Sequence, residues 1–224
     1  SLDGTVRPIN GVLSIVDGAR KAGVRRCYVP KANAAEGAVV EGIEVVGTES
    51  IGQMIGYLQH PKEAQPVTVD TQGLLLGHED GYDVDFSEIN GQAALKRAAE
   101  AAGMHNLLLI GPPGSGKTML ARRIPTILPS VTLEESIEIT RIYSICGLLP
   151  KDSPLILKRP FRSPHHTVSS SALTGGGLVP KPGEVTLATH GVLFLDELPE
   201  FQKNSLEILR QPLEDRCITI ARVH

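Results

Sequence analysis

The chain has 224 residues, 41% of them hydrophobic and 21% charged, with a formal net charge of −3, which is enough for one large or two modest domains with a packed core. No apolar run approaches the roughly 18 residues that a membrane-crossing helix needs. The slight acidity argues against a histone-like grip on nucleic acid, while leaving room for a small basic patch.

Cys27, Cys146 and Cys217 are odd in number, widely spaced and without a CxxC pair; that predicts reduced, cytosolic thiols and no structural zinc. Ser1-Leu2-Asp3-Gly4 opens directly on turn chemistry, which suggests an excised piece of a longer protein. Residues 1 to about 60 then alternate strand and helix. The pattern predicts an extended Thr5–Ile9, a helix over Val12–Ala22 and a strand over Val24–Val29. A weak helix over Ala32–Glu41 closed by Gly42, a strand over Ile43–Val46 and a helix over Ile51–Leu58 complete it. His60-Pro61 ends this first domain, and residues 61–85, with one apolar run at Leu74–Leu76, read as a linker.

A second pattern, over residues 86–224, begins at Phe86. Ser87 or Asn90 is a candidate cap for a helix over Gln92–Ala102, stopped by Gly103. A strand over Asn106–Ile110, a glycine loop and a helix over Lys117–Ile124, ended by Pro125, follow. The loop Gly111-Pro112-Pro113-Gly114-Ser115-Gly116-Lys117-Thr118 fits GxxxxGK[ST] without a mismatch. Its glycines let backbone N–H groups close around a β-phosphate at the positive end of the next helix. Lys117 would reach the β- and γ-phosphates, and the Thr118 hydroxyl would ligate Mg²⁺. Strand, glycine loop and helix in that order separate this from a chance glycine-rich turn and point to ATP with Mg²⁺.

Gly191-Val-Leu-Phe-Leu-Asp196-Glu197 supplies the other half of such a site. Four apolar residues predict a buried parallel strand that delivers Asp196 at its C-terminal edge, where open α/β sheets bind ligands. Asp196 would hold Mg²⁺, usually through water, and Glu197 would orient or deprotonate the attacking water.

With Asp85-Phe-Ser-Glu-Ile-Asn-Gly-Gln92, which resembles the adenine-lining entry of AAA+ modules, these motifs bring a family into view. Arg159-Pro-Phe-Arg-Ser-Pro-His-His-Thr167, Gly175-Gly-Gly177, Pro182-Gly-Glu184, His190–Phe201 and Leu209-Arg-Gln-Pro-Leu-Glu-Asp-Arg216 run in one order along the chain. In these blocks the chain resembles the magnesium-chelatase-like AAA+ ATPases of the ComM/YifB type. The resemblance implies an α/β fold with a parallel-sheet P-loop core, and a homo-oligomeric, hexameric ring in the full-length protein. It also implies an insert at about Ala172–Leu187 that points into the ring channel, and a hairpin beginning at Cys217-Ile-Thr-Ile-Ala-Arg222. An arginine from the next subunit and a polar sensor would lie beyond His224, so the chain should bind ATP and turn it over poorly. Three uses of the ATP follow: DNA remodelling by branch migration during transformation, the motor of a magnesium chelatase, or a nucleotide-switched scaffold.

Leu2-Asp-Gly-Thr-Val-Arg-Pro-Ile-Asn-Gly11 and Ala22-Gly-Val-Arg-Arg-Cys-Tyr-Val-Pro30 resemble the C-terminal half of a Lon-protease-like, ribosomal-protein-S5-type α+β domain. Leu13 stands where Lon has its catalytic lysine. A serine would remain unactivated without that lysine, so this domain is expected to be non-proteolytic.

His165-His166 invites a metal reading, but neighbours on a strand point to opposite faces and no Cys or carboxylate lies at ligand spacing beside them. Packing, a pore role and nucleotide sensing stay open for the pair. Lys158, Arg159 and Arg162 form a basic cluster that would suit phosphates or a solvated edge equally. With aromatic residues at 4% and no Trp, no stacking platform for single strands is expected. Arg122 and Arg123 are expected to be structural.

Overall fold

The computed structural model describes residues 1–77, 81–101, 105–150, 153–176 and 180–215. In chain order its elements are α1 (Val12–Lys21), β1 (Arg26–Pro30), α2 (Ala34–Gly37), β2 (Glu44–Thr48), α3 (Ile51–Gln59), α4 (Thr71–Leu76), α5 (Ala93–Ala101), α6 (Lys117–Arg123) and α7 (Leu133–Cys146). There follow β3 (Phe161–Arg162), α8 (Ser170–Thr174), β4 (Gly175–Gly176), β5 (Lys181–Pro182), α9 (Glu184–Leu187), β6 (Val192–Leu193) and α10 (Lys203–Asp215). The mixture of helices with small parallel sheets is α/β in character. The chain divides into two compact units, Ser1–Gly77 with Thr132–Leu157, and His78–Val131 with Lys158–His224.

In the first unit β1 and β2 pair in parallel from Arg26↔Glu44 to Pro30↔Thr48, with α2 in the connection. Val12, Val16, Val29, Ala34 and Val45 form its core. Thr5–Ile9 makes no strand; Thr5 forms a single antiparallel bridge to Ser50. Leu13 is fully buried against Val39 and Leu155.

The segment 132–157, placed by its sequence pattern within the second domain, packs on this first unit. Its apolar Leu133, Ile137, Leu155 and Leu157 join Leu13 and Val39. Thr132 and Glu135 form a reciprocal capping box at the start of α7, satisfying two backbone donors there. Polar bonds then tie α7 to the start of α1. The residue before α1 is Gly11, which has no capping side chain, so the first N–H groups of the helix need other acceptors. Ser144 Oγ accepts from the Gly11 amide at 2.9 Å, the buried Glu36 carboxylate accepts from the Leu13 amide at 2.8 Å, and Ser144 donates to Glu36.

In the second unit, Phe86, Ile89, Ala99 and Leu120 form a core with Leu95, Leu109 and Ile127 beside it. No strand forms at 106–110, contrary to its apolar pattern; Leu108 and Ile110 are 69% and 88% exposed. A strand needs a neighbour for its backbone N–H and C=O groups, and among the described residues none pairs with this segment. The sheet that does form is short: β3 and β6 run parallel with Phe161↔Val192 and Arg162↔Leu193 in register. Amide bonds from Val192 to the Pro160 carbonyl and from Phe194 to the Arg162 carbonyl, both 2.8 Å, extend it. Phe161 and Phe194 stack with centroids 6.1 Å apart. The segment 192–196 is half-buried rather than fully buried.

The span of the expected insert holds α8, the antiparallel pair of β4 and β5, and α9. Its base is pinned to the sheet, because Arg162 on β3 grips Glu184 at the start of α9 with two bonds of 2.6 and 2.8 Å. The expected hairpin from Cys217 lies outside the described residues.

Candidate active site

The glycine loop turns sharply at Gly114 and Gly116, whose φ angles are 76° and 85°, a region that costs residues with a Cβ. Gly116 leads straight into α6. Lys117 folds its ammonium back along the loop. Nζ donates to the carbonyls of Gly111 and Pro112 at 2.8 and 2.9 Å and lies 3.4 Å from Ser115 Oγ. Leu120 of α6 is buried in the core with Ile89, which fixes the helix and so the loop in front of it.

The entry segment 85–92 is held against the same helix. Asp85 accepts from the Ser87 amide at 2.7 Å, and bonds from Ser87 hold its carboxyl below the usual carboxylate range, with Arg123 adding to the effect. Arg123, at the end of α6, donates to the Asp85 carbonyl and pairs with Glu88, which ties the entry segment to that helix. The Gln92 side-chain amide reaches the Ser115 carbonyl at 3.5 Å, bringing 85–92 to the edge of the loop.

From the other side, β6 delivers Asp196. The Thr118 hydroxyl donates to Asp196 Oδ2 at 2.9 Å across 78 residues of sequence, and both side chains are partly buried. Asp196 Oδ1 accepts from the Glu197 amide at 3.0 Å. Glu197 itself takes a left-handed conformation, φ 53°, uncommon for a residue with a side chain. Its carboxylate is exposed and lies 3.5 Å from His166 Nδ1. The Thr118–Asp196 bond thus brings the end of the glycine loop against the start of the Asp-Glu pair.

A hydroxyl and a carboxylate in contact form a hard-oxygen donor set of the kind that suits Mg²⁺. No group of three or more His, Cys, Asp and Glu side chains able to hold a metal occurs among the described residues.

The basic cluster near β3 is committed elsewhere. Arg159 donates to the Pro129 and His190 carbonyls at 2.6 and 2.7 Å, Arg162 to Glu184, and Lys158 to the Gly81 carbonyl while lying over the Tyr82 ring. These bonds tie loops together.

The sequence left His165 and His166 open. In the structure their rings stand 4.0 Å apart, but only His166 faces Glu197. Nothing in the spacing of the two motifs signals that meeting before the register of β3 against β6 is known.

Residues 85–224 match the family profile described as magnesium chelatase, subunit ChlI. Over 99% of its length the chain is 44% identical to an uncharacterised protein of Mycobacterium tuberculosis. It is 40% identical over its whole length to the competence protein ComM of Haemophilus influenzae, and 41% identical over 99% to the uncharacterised protein YifB of Escherichia coli. It spans 44%, 44% and 43% of those three relatives, less than half of each. No helix among the described residues is long and apolar enough to cross a membrane. With the glycine loop, the Asp-Glu pair and the whole-length similarity in agreement, the chain belongs to the magnesium-chelatase family of AAA+ ATPases, in the company of ComM and YifB.

Proposed function

We propose that this chain binds ATP with Mg²⁺ and carries the in-cis half of a hydrolytic site. The observation that carries the reading is the bond between the Thr118 hydroxyl and the Asp196 carboxylate, which joins the two motifs. Gly111, Pro112, Pro113, Gly114, Ser115 and Gly116 supply the backbone that curves around the phosphates. Lys117, held within the loop, exchanges its carbonyl partners for β- and γ-phosphate oxygens. Thr118 and Asp196 would hold Mg²⁺, which when bound supplies positive charge against those oxygens. Glu197 orients a water and accepts its proton as the water oxygen bonds to the γ-phosphorus and the bond to the β–γ bridging oxygen breaks. ADP and phosphate leave.

In the family this resembles, a neighbouring subunit of a homo-oligomeric ring supplies an arginine. The isolated chain therefore binds ATP and cleaves it slowly. The competence protein among its relatives favours DNA as the ring's substrate, with branch migration as the work done. Residues 1–60 serve as the C-terminal half of a Lon-like domain without peptidase activity, because Leu13, which has no group to take a proton, stands where Lon has its catalytic lysine.

Titrating the chain with a fluorescent ATP analogue tests the reading. Binding should require Mg²⁺, fall at least tenfold in Lys117→Ala and persist in Glu197→Gln; a wild-type chain that binds no ATP would sink it. The DNA step is tested with the full-length protein, ATP and a four-way junction. No junction movement and no DNA-stimulated ATPase would remove DNA as the substrate.

A further inference from the structure

We infer that an arginine-walled groove in the first unit, between the end of α1 and the start of β1, is a docking surface for the phosphodiester backbone of duplex DNA. The inference names a contact surface for the DNA read above as the ring's substrate and rests on that reading. The groove has a volume of about 700 Å³, and Arg20, Arg25, Arg26 and Glu44 line it together with Gly23 and Gly42. Both glycines are exposed. A Cβ added to Gly23 would meet nothing within 4 Å, and one added to Gly42 only Arg20 Cδ at 3.8 Å. The floor is therefore open to an approaching backbone.

The charge here runs against that of the chain, whose net value is −3. Asp17 alone serves Arg20, Lys21 and Arg141, at 2.9, 2.9 and 3.4 Å. Glu44 serves Arg26 at 2.6 Å. Arg25 is exposed, and its side chain has no hydrogen-bond or ion-pair partner among the described residues. Even with the exposed Glu41 beside Gly42 counted, five cations stand with three carboxylates. Arg20 and Lys21 also suit the negative end of α1, in whose last turn they lie. Arg25 stands beyond that helix and has no such duty, so its guanidinium is left to face a ligand.

The chemistry of the groove selects phosphate over bases. None of its lining residues is aromatic, so it offers no platform on which unpaired bases could stack. A guanidinium fork matches the paired oxygens of a phosphate. Contacts of this kind hold a duplex in place without reading its sequence. A duplex also repeats its charge along its length, which cations spread over an open groove can follow.

Anisotropy of a labelled duplex of about 30 base pairs, titrated with the 224-residue chain at several salt concentrations between about 50 and 200 mM, tests this. Wild type is compared with Arg25→Ala, Arg25→Glu, Val24→Glu and, as a control for net charge, Lys203→Glu outside the groove. Arg25→Ala should make the plot of log affinity against log salt shallower by about 0.9, the loss of one phosphate contact. Arg25→Glu and Val24→Glu should each bind at least fivefold more weakly at the lowest salt, while Lys203→Glu stays within twofold of wild type. Equal weakening by Lys203→Glu, or variants at Arg25 and Val24 that bind as wild type does, would overturn the groove and leave DNA standing as the ring's substrate. No duplex binding by the wild-type chain at the lowest salt would also overturn the groove, whereas the junction assay with the full-length protein decides the substrate. Displacement of the duplex by ATP would move the contact to the glycine loop and sink the inference. So would poly-glutamate that competes as well as unlabelled duplex, charge for charge, by showing a face for acidic protein instead.

Discussion

Thr118 and Asp196 share a hydrogen bond of 2.9 Å although 78 residues separate them. Thr118 sits in the first turn of α6 and Asp196 just beyond β6, so the bond measures how well the two motifs are aligned. Removing either oxygen should uncouple nucleotide affinity from Mg²⁺. Thr118→Val and Asp196→Asn are each expected to weaken ATP binding about tenfold at saturating Mg²⁺, about 1.4 kcal/mol. The double variant should be little worse than the poorer single one, because the two act as a unit. Titrations of ATP at several Mg²⁺ concentrations check both statements.

Gly191 stands where β6 approaches the chain before β3 most closely. A Cβ there would lie 2.1 Å from the Pro160 carbonyl oxygen, a backbone atom that already accepts from the Val192 amide and cannot step aside. Gly191→Ala should push the two strands apart and misplace Asp196 and Glu197. A stability loss of about 1–3 kcal/mol is expected, with single-turnover cleavage lost; urea denaturation and cleavage assays read the two effects.

Ser144 Oγ bridges the Gly11 amide and the Glu36 carboxylate in the first unit. Ser144→Ala leaves both without that partner, and an unsatisfied buried polar group costs about 1–3 kcal/mol. The expected signature is a lower denaturation midpoint together with faster amide exchange at Gly11 than in wild type. Exchange at Gly11 ties the loss to the start of α1.

Asp17 on α1 accepts from Lys21 and Arg20, and these bonds, with the Arg141 charge nearby, lower its pKa to about 2. A carboxyl depressed on folding stabilises the folded state above its unfolded pKa of about 3.8, and that contribution is lost as pH falls through about 2. Asp17→Asn should therefore be less stable than wild type at pH 5–7, and the gap should close between about pH 4 and pH 2. Thermal melting of both chains across that range checks the sign; a gap that widens on acidification would contradict it.

Much of the candidate site was legible in the sequence, because its parts are local. The loop's glycines stand out by residue type alone, and the positive φ angles of Gly114 and Gly116 are permitted by the missing Cβ. Helices α1, α3 and α6 lie close to their predicted spans, and α3 has a side-chain start signal in Ser50, which accepts from the Gln53 amide. Strand length was less legible. The apolar run 106–110 reads as a strand, yet a strand exists only through its neighbour, and that partnership is not written in the run itself.

The sequence by itself determined which residues are chemically equipped: a phosphate loop ending in Lys117 and Thr118, and an Asp196-Glu197 pair behind an apolar segment. Short-range backbone sterics and residue chemistry suffice for that. Only the tertiary structure decided that Thr118 meets Asp196, that 132–157 packs on the first unit through Leu133, Ile137 and Leu155, and that His166 rather than His165 faces Glu197. These depend on strand register and on which apolar faces find each other, which are properties of residues far apart in the chain.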